Sequence, residues 1–118
     1  MLWEIDGETH IWAEEIWGKL ERKLEAQCLR LGSMMPYVPV NVAYEDMGKK
    51  ELAAWTNGFY SGILWQMYHA AGKACYRKAA EGIEVRLDEA LASYIKLDHD
   101  VGFLWLHTAV ADYRLTGS

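Results

Sequence analysis

The 118-residue sequence has few cysteines, and neither stands in a pattern that binds metal or forms a structural bridge. Cys28 and Cys75 form no C-x-x-C pair, and both fall inside helical patterns. We therefore interpret them as reduced, buried thiols of a cytoplasmic protein. The four histidines also lack the spacing of a ligand set, so we expect no metal site.

An excess of basic residues is also missing. The formal net charge is −5 and no basic cluster offsets it, which argues against nucleic acid as a partner. The sequence lacks an uncharged run of about 20 residues, the length that a membrane span needs. Its N-terminus has neither the basic start nor the apolar core of a signal peptide. We expect a soluble, cytoplasmic protein that does not contact a membrane.

Proline is rare, and both prolines lie in one connecting segment. Pro36 and Pro39 discourage a helix across residues 33–52. The same segment is too apolar for a flexible linker. We expect it to lie against the protein surface or the rim of a cleft.

Apolar residues recur at helical spacing in four segments, at about residues 9–31, 58–71, 73–94 and 101–116. The first and third helices carry one apolar stripe among charged residues, whereas the second and fourth are apolar nearly all round. Such alternation is typical of outer helices packed around inner ones, because a plain bundle would give four similar helices. The sequence predicts an all-α fold without a sheet, as part of an α/α barrel.

The ends of the first helix carry local signals. Asp6 or Thr9 is expected to cap its start, and Gly32 is expected to end it.

Aromatic residues are abundant, with six Trp and seven Tyr. Such residues pack protein cores and also line carbohydrate clefts; core packing is the simpler interpretation of any single one. The two apolar stretches match one another at a shift of about 45 residues, a period that indicates repeated helical hairpins. The matched pairs are Gly58 with Gly102, Phe59 with Phe103, Tyr68 with Tyr113, and Gly72 with Gly117.

Each apolar stretch begins with a short motif, WTNGF at residues 55–59 and HDVGF at residues 99–103. Because consecutive inner helices of an α/α barrel run parallel, both motifs are expected at the same end. Trp55 and Asp100 would then face one mouth of the barrel.

Each of these residues also has a simpler interpretation. Asp100 could be an ordinary helix N-cap, with Asp98 as a competing cap. His99 could be a surface loop residue, and Trp55 could fill the core. Gly58 and Gly102 most simply permit close packing of the helices.

At these motifs the sequence resembles glycoside hydrolase family 88, the unsaturated glucuronyl hydrolases. It is more distantly similar to family 105, the unsaturated rhamnogalacturonyl hydrolases. The resemblance rests on WTNGFYSGILWQMY at residues 55–68 and HDVGFLWLHTAVADYRLTG at residues 99–117. It covers most of the chain from about Pro36 onward.

The resemblance implies an (α/α)6 barrel that acts on oligosaccharides ending in a 4,5-unsaturated uronic acid, the product of polysaccharide lyases. Family members hydrate the vinyl-ether double bond and release the sugar without a metal or organic cofactor. Asp100 corresponds to the first of two family aspartates and is the expected catalytic residue. Trp55 and His99 correspond to substrate-binding positions. The second aspartate, the general acid and base, is expected beyond Ser118.

Six hairpins of this period would need about 270 residues. We therefore interpret residues 1–118 as the N-terminal portion of a single α/α-barrel catalytic domain, incomplete and inactive alone. Its exposed inner-helix faces would favour self-association. The alternative is a small helical binding or interaction protein, derived from such a barrel and without activity. The sugar that follows the uronate stays open.

Overall fold

The computed structural model describes residues 4–118, and the predicted all-α class is confirmed in a mostly helical chain. Residues 1–3, which begin the segment without signal-peptide features, lie outside the described residues. The elements in chain order are helix α1 (Gly7–Leu31), strands β1 (Pro36–Val40) and β2 (Ala43–Asp46), helix α2 (Met47–Lys50), a 3-10 turn (Trp55–Gly58), and helices α3 (Phe59–Ala71), α4 (Ala74–Ser93), α5 (Gly102–Leu106) and α6 (Ala109–Thr116).

Helix α1 has the predicted ends. The Asp6 carboxylate accepts a hydrogen bond from the Thr9 amide at 2.7 Å. Gly32 ends the helix at a positive φ, and its amide donates to the Cys28 carbonyl at 2.8 Å. The apolar stripe is used only in part, because Leu24 and Cys28 pack on the core whereas Trp12 is exposed.

The core lies between α3 and α4, and it receives side chains from α1 and α5. Its fully buried members include Leu64, Trp65, Tyr76, Ile83 and Leu104. Helix α4 is therefore amphipathic as predicted, with its apolar face on α3. In residues 4–118, none of the helices is both long enough and apolar enough to cross a membrane.

The prediction of no sheet is wrong for the connecting segment. Strands β1 and β2 pair antiparallel, with Pro36 opposite Asp46 and Val40 opposite Ala43. Two turn residues, at positions 41–42, both have positive φ, as the tightest hairpin turns require. The prolines excluded a helix correctly, but a two-stranded ribbon tolerates them because each strand has a free edge.

The prediction of one helix over residues 101–116 is also wrong, because the helix is interrupted at Thr108. Thr108 is fully buried and lies outside the helical region, at φ −113° and ψ −99°. Its hydroxyl donates to the Leu104 carbonyl at 2.6 Å. A threonine hydroxyl that binds this carbonyl competes with the helical backbone hydrogen bond. The apolar pattern continues across the break, so periodicity did not reveal it.

The internal repeat has a structural counterpart at the ends of α3 and α6. Gly72 and Gly117 both adopt the left-handed conformation, at φ 69° and 76°. Their amides donate to the carbonyls of Tyr68 and Tyr113 at 2.8 and 2.9 Å. Residues matched by the repeat therefore perform the same local task, since each glycine ends its helix in the same way.

Candidate functional site

The two motifs meet in a cluster of aromatic rings. Trp55 begins the 3-10 turn, and its ring centroid lies 5.7 Å from that of Phe59 and 5.6 Å from that of Phe103. The two repeat-related phenylalanines lie 5.8 Å apart, and His107 packs on Phe59 at 5.1 Å. The predicted juxtaposition of the WTNGF and HDVGF motifs is present. Trp55 is 47% exposed, so it is not a buried core residue.

Gly58 makes this meeting possible, because the start of α3 passes directly over α5. A Cβ atom on Gly58 would lie 2.4 Å from the Phe103 carbonyl oxygen and 2.9 Å from that of Leu104. One turn later, a Cβ atom on Gly62 would lie 3.0 Å from the Cβ of His107. Gly102 differs, since a Cβ atom there would have no neighbour within 4 Å. The predicted packing role therefore applies to Gly58 and not to Gly102.

Asp100 lies in the turn before α5 and does not cap the helix. The backbone amide of Asp100 donates a hydrogen bond to the Asp98 carboxylate at 2.9 Å. Helix α5 has no side-chain cap, and within residues 4–118 no backbone amide donates to the Asp100 carboxylate. The capping interpretation of Asp100 is therefore wrong, and Asp98 stabilises the turn instead.

The Asp100 side chain is partly accessible, at 32% exposure, and its neighbour His99 is 89% exposed. The Asp100 Oδ2 atom lies 3.5 Å from the His99 Nε2 atom. His99 is thus a surface residue, as its simpler interpretation expected, but it stands beside the carboxylate. The ligand atoms of Asp98, His99 and Asp100 lie within 4.8 Å of one another. Exposed acidic groups often gather in this way without an ion, so the grouping alone does not indicate a metal centre.

A cavity of about 200 Å³ opens beside Trp55. Tyr37 of β1, Thr56, Lys96 and Asp98 are among the residues that line it. Lys96 is exposed and has a positive φ of 66°. No carboxylate of residues 4–118 forms an ion pair with Lys96. His99 and Asp100 are not among the cavity-lining residues.

Sequence reasoning missed Lys96 as a candidate, because it stands in no motif.

The hairpin that brings Tyr37 to this cavity is anchored to α4. The carboxylate of Asp46, at the end of β2, forms an ion pair with Arg86 at 3.0 Å.

Asn57, in the middle of the WTNGF motif, has a structural role. It is buried, and its side-chain amide donates to the carbonyls of Glu51 and Leu52, both at 2.9 Å. These bonds fix the segment after α2 against the 3-10 turn. They therefore set the position of Trp55, two residues earlier.

Proteins with a named activity resemble this chain over half of its length or more. An unsaturated glucuronyl hydrolase of Bacillus sp. (strain GL1) is 42% identical over 60 residues, which are 50% of this chain and 16% of that protein. The chain is similar over half of its length to an unsaturated glucuronyl hydrolase.

Two streptococcal proteins extend this relationship, and both are unsaturated chondroitin disaccharide hydrolases. The one from Streptococcus pneumoniae (strain ATCC BAA-255 / R6) is 31% identical over 64 residues, 53% of this chain and 16% of that protein. The one from Streptococcus agalactiae serotype III (strain NEM316) is 33% identical over 78 residues, 65% of this chain and 19% of that protein. The chain therefore matches less than a fifth of the length of these relatives. No protein-family profile matches it, and no solved structure matches it significantly.

Proposed function

We propose that this chain forms part of the active site of an unsaturated glucuronyl hydrolase, which releases a 4,5-unsaturated uronic acid from the non-reducing end of lyase-generated oligosaccharides. The observation that carries the proposal is the contact between the WTNGF and HDVGF motifs through Trp55 and Phe103. The activities named for the relatives support the same substrate class.

The residues at this contact have the chemistry that such a substrate needs. The half-exposed indole of Trp55 offers a flat apolar face to a sugar ring. Lys96, in the same cavity, offers a cation to the carboxylate of the uronic acid. We assign substrate binding to Trp55 and His99, with Lys96 as an additional contact.

Asp100 is the proposed catalytic residue. The reaction adds a proton to C4 and water to C5 of the unsaturated ring, and the resulting hemiketal then collapses and frees the next sugar. A positive charge develops at C5 and the ring oxygen as C4 is protonated, and a nearby carboxylate stabilises it. Asp100 is suited to this electrostatic role and to orienting the water, because its carboxylate is not used for capping. The proton donor is assigned to a second aspartate outside residues 1–118, and no metal or organic cofactor is required.

We expect hydrolase activity when the rest of the active site is supplied by a relative. In a chimera, residues 36–118 of this chain replace the corresponding segment of the Bacillus sp. relative. We expect the chimera to hydrate an unsaturated disaccharide, and the 118-residue chain alone to be at least about 100-fold slower, because it lacks the general acid. The assay follows the loss of absorbance of the conjugated double bond.

The same assay separates the two functional hypotheses. A folded chimera that binds the disaccharide without turnover would favour the inactive binding protein. Rapid turnover by the purified 118-residue chain would contradict the assignment of the proton donor to a residue outside it.

Large apolar side chains are exposed on the helices that follow the two motifs. We call these side chains the inner face, and they belong to Phe59, Ile63, Phe103, Leu106 and Val110. Exposed apolar side chains that lie together on a protein surface mark sites of contact with other groups. We propose that further helices of an α/α barrel cover the inner face in a complete enzyme.

Without those helices, the 118-residue chain should self-associate through the inner face. Sedimentation velocity should show an average mass that rises with protein concentration. Ile63→Asn should weaken the association, whereas Val85→Asn, on exposed α4 surface outside the inner face, should leave it unchanged. A monodisperse monomer that melts cooperatively and binds little hydrophobic dye would contradict this expectation.

A further inference from the structure

The N-terminal half of α1 extends beyond the other packed helices. In residues 4–118, the hydrogen bonds and ion pairs that join α1 to the start of α4 begin at Glu21. Its carboxylate pairs with Lys73 at 3.2 Å, and its carbonyl accepts a hydrogen bond from the Tyr76 hydroxyl at 3.4 Å. Lys73 lies in the connection between α3 and α4, so this level is the end of both helices. Residues 7–20, most of them exposed, therefore project past it by about 20 Å.

This free half of α1 carries an apolar stripe. Trp12, Ile16 and Leu20 follow one another at every fourth position, which places them together on one side of the helix. Trp12 is 61% exposed, Leu20 is 44% exposed, and Ile16 is partly exposed. A helical segment of this length is marginally stable in water without tertiary contacts, because helices in proteins depend on the packing of an apolar face. We therefore expect a partner to cover the stripe.

Charged residues border the stripe on one flank. At about 100° per residue, four of them lie about 60–120° to the same side of Ile16, namely Glu8, Glu15, Lys19 and Arg22. All four are exposed, and within residues 4–118 none of them forms an ion pair. The two acidic residues lie toward one end of the flank and the two basic residues toward the other. The flank is therefore complementary to a copy of itself that runs in the opposite direction.

We propose that the free half of α1 is a dimerisation surface, which packs antiparallel against the same segment of a second copy of this chain. Such a two-fold interface uses the same surface on both copies. With the two-fold axis at Ile16, the two Ile16 side chains meet, and Trp12 of each copy lies level with Leu20 of the other. Each stripe then covers the other. The proposal does not depend on the proposed function, and this segment contains no residue of the inner face.

The charges select the direction of pairing. In an antiparallel pair with this axis, the charged flanks of the two copies face each other. Glu15 of each copy lies within about one turn of Lys19 of the other, and Glu8 lies within about one turn of Arg22. A parallel pair would place each residue level with its own copy, so the acidic and basic ends would not meet. Exposed ion pairs contribute little energy individually, but they favour one orientation over another.

Disulfide trapping tests the position of the axis. Ile16→Cys and Glu14→Cys are each prepared in the 118-residue chain with Ile63→Asn, which weakens association through the inner face. Glu14 lies on the opposite side of α1 and is exposed. With oxidised glutathione, we expect Ile16→Cys to form covalent dimers at least about tenfold faster, because pairing raises the effective concentration of its thiols. Both proteins retain Cys28 and Cys75, so the native thiols affect them alike. Equal rates would overturn the proposal.

A mixture of two variants tests the direction of the helices. Trp12→Cys and Leu20→Cys, in the same Ile63→Asn background, should link to each other at least about fivefold more than either links to itself. Mass spectrometry of the linked peptides separates the products. A parallel pair would link each variant mainly to itself, and that result would overturn the proposal.

Charge reversal tests the ion pairs through the dimer dissociation constant, measured by sedimentation equilibrium of the Ile63→Asn chain. Lys19→Glu should raise this constant about tenfold, because it faces Glu15 twice in each dimer. Addition of Glu15→Lys should restore the constant to within about threefold, since opposite charges face each other again. Lys49→Glu, the same charge change at an exposed position of α2, should leave it unchanged. No weakening by Lys19→Glu, or no recovery in the double variant, would overturn the proposal.

Discussion

Asp100→Asn in the chimera is expected to lower the turnover of an unsaturated disaccharide by about 100-fold or more, the scale of a lost charged catalytic group. The fold should be unaffected, because the substitution is nearly isosteric. In addition, the Asp100 carboxylate accepts no capping hydrogen bond from the described backbone. Steady-state kinetics give the turnover number, and urea unfolding gives the stability of the same preparation.

Asp98→Asn is the matched control, since it removes the same formal charge two residues away. The Asp98 side chain accepts a hydrogen bond from the Asp100 backbone amide at 2.9 Å, and an asparagine side-chain oxygen can accept the same hydrogen bond. We expect the turnover number of Asp98→Asn to stay within a few-fold of the unmodified chimera. If Asp98→Asn inactivates the chimera and Asp100→Asn does not, the assignment of the HDVGF motif is wrong.

Gly58→Ala should lower the free energy of unfolding by about 2–3 kcal/mol, as overpacking of a tight contact does. The new methyl group would lie 2.4 Å from the Phe103 carbonyl oxygen and 2.9 Å from that of Leu104. Both atoms belong to the backbone, so α5 must move away from the start of α3. The measurement is the urea midpoint and slope of the 118-residue chain.

Gly102→Ala supplies the control at the repeat-related position. A Cβ atom there meets no neighbour within 4 Å, and the residue begins α5. Alanine favours a helix more than glycine does, so stability should be unchanged or should rise by up to about 1 kcal/mol. Equal losses at Gly58 and Gly102 would show that general helix entry, and not the contact with α5, requires glycine.

The sequence was informative where structure depends on near neighbours along the chain. Asp6 and Gly32 end α1 through contacts within four residues, and Gly72 and Gly117 end their helices in the same way. The hairpin was missed because prolines argue against a helix without specifying a strand. In addition, its turn contains Val42, a residue that is uncommon at positive φ.

The candidate site was predictable to the extent that it follows the repeat. The repeat indicated an α/α barrel, whose parallel inner helices placed the WTNGF and HDVGF motifs at one end. The Trp55–Phe103 contact agrees with that placement. The sequence could not separate the roles of Asp98 and Asp100, because either side chain can accept a hydrogen bond from a backbone amide of the same turn. Lys96 was missed because its position in the cavity depends on how separate elements pack together.

The initial rate of absorbance loss from an unsaturated disaccharide, measured on the folded chimera and its Asp100→Asn variant in parallel, tests the central claim most directly. The claim is that Trp55 and the Asp100 turn form part of one hydrolase active site. It predicts clear turnover by the chimera and a rate at least about 100-fold lower in the variant. A folded chimera without turnover, or equal rates in the two proteins, would contradict it.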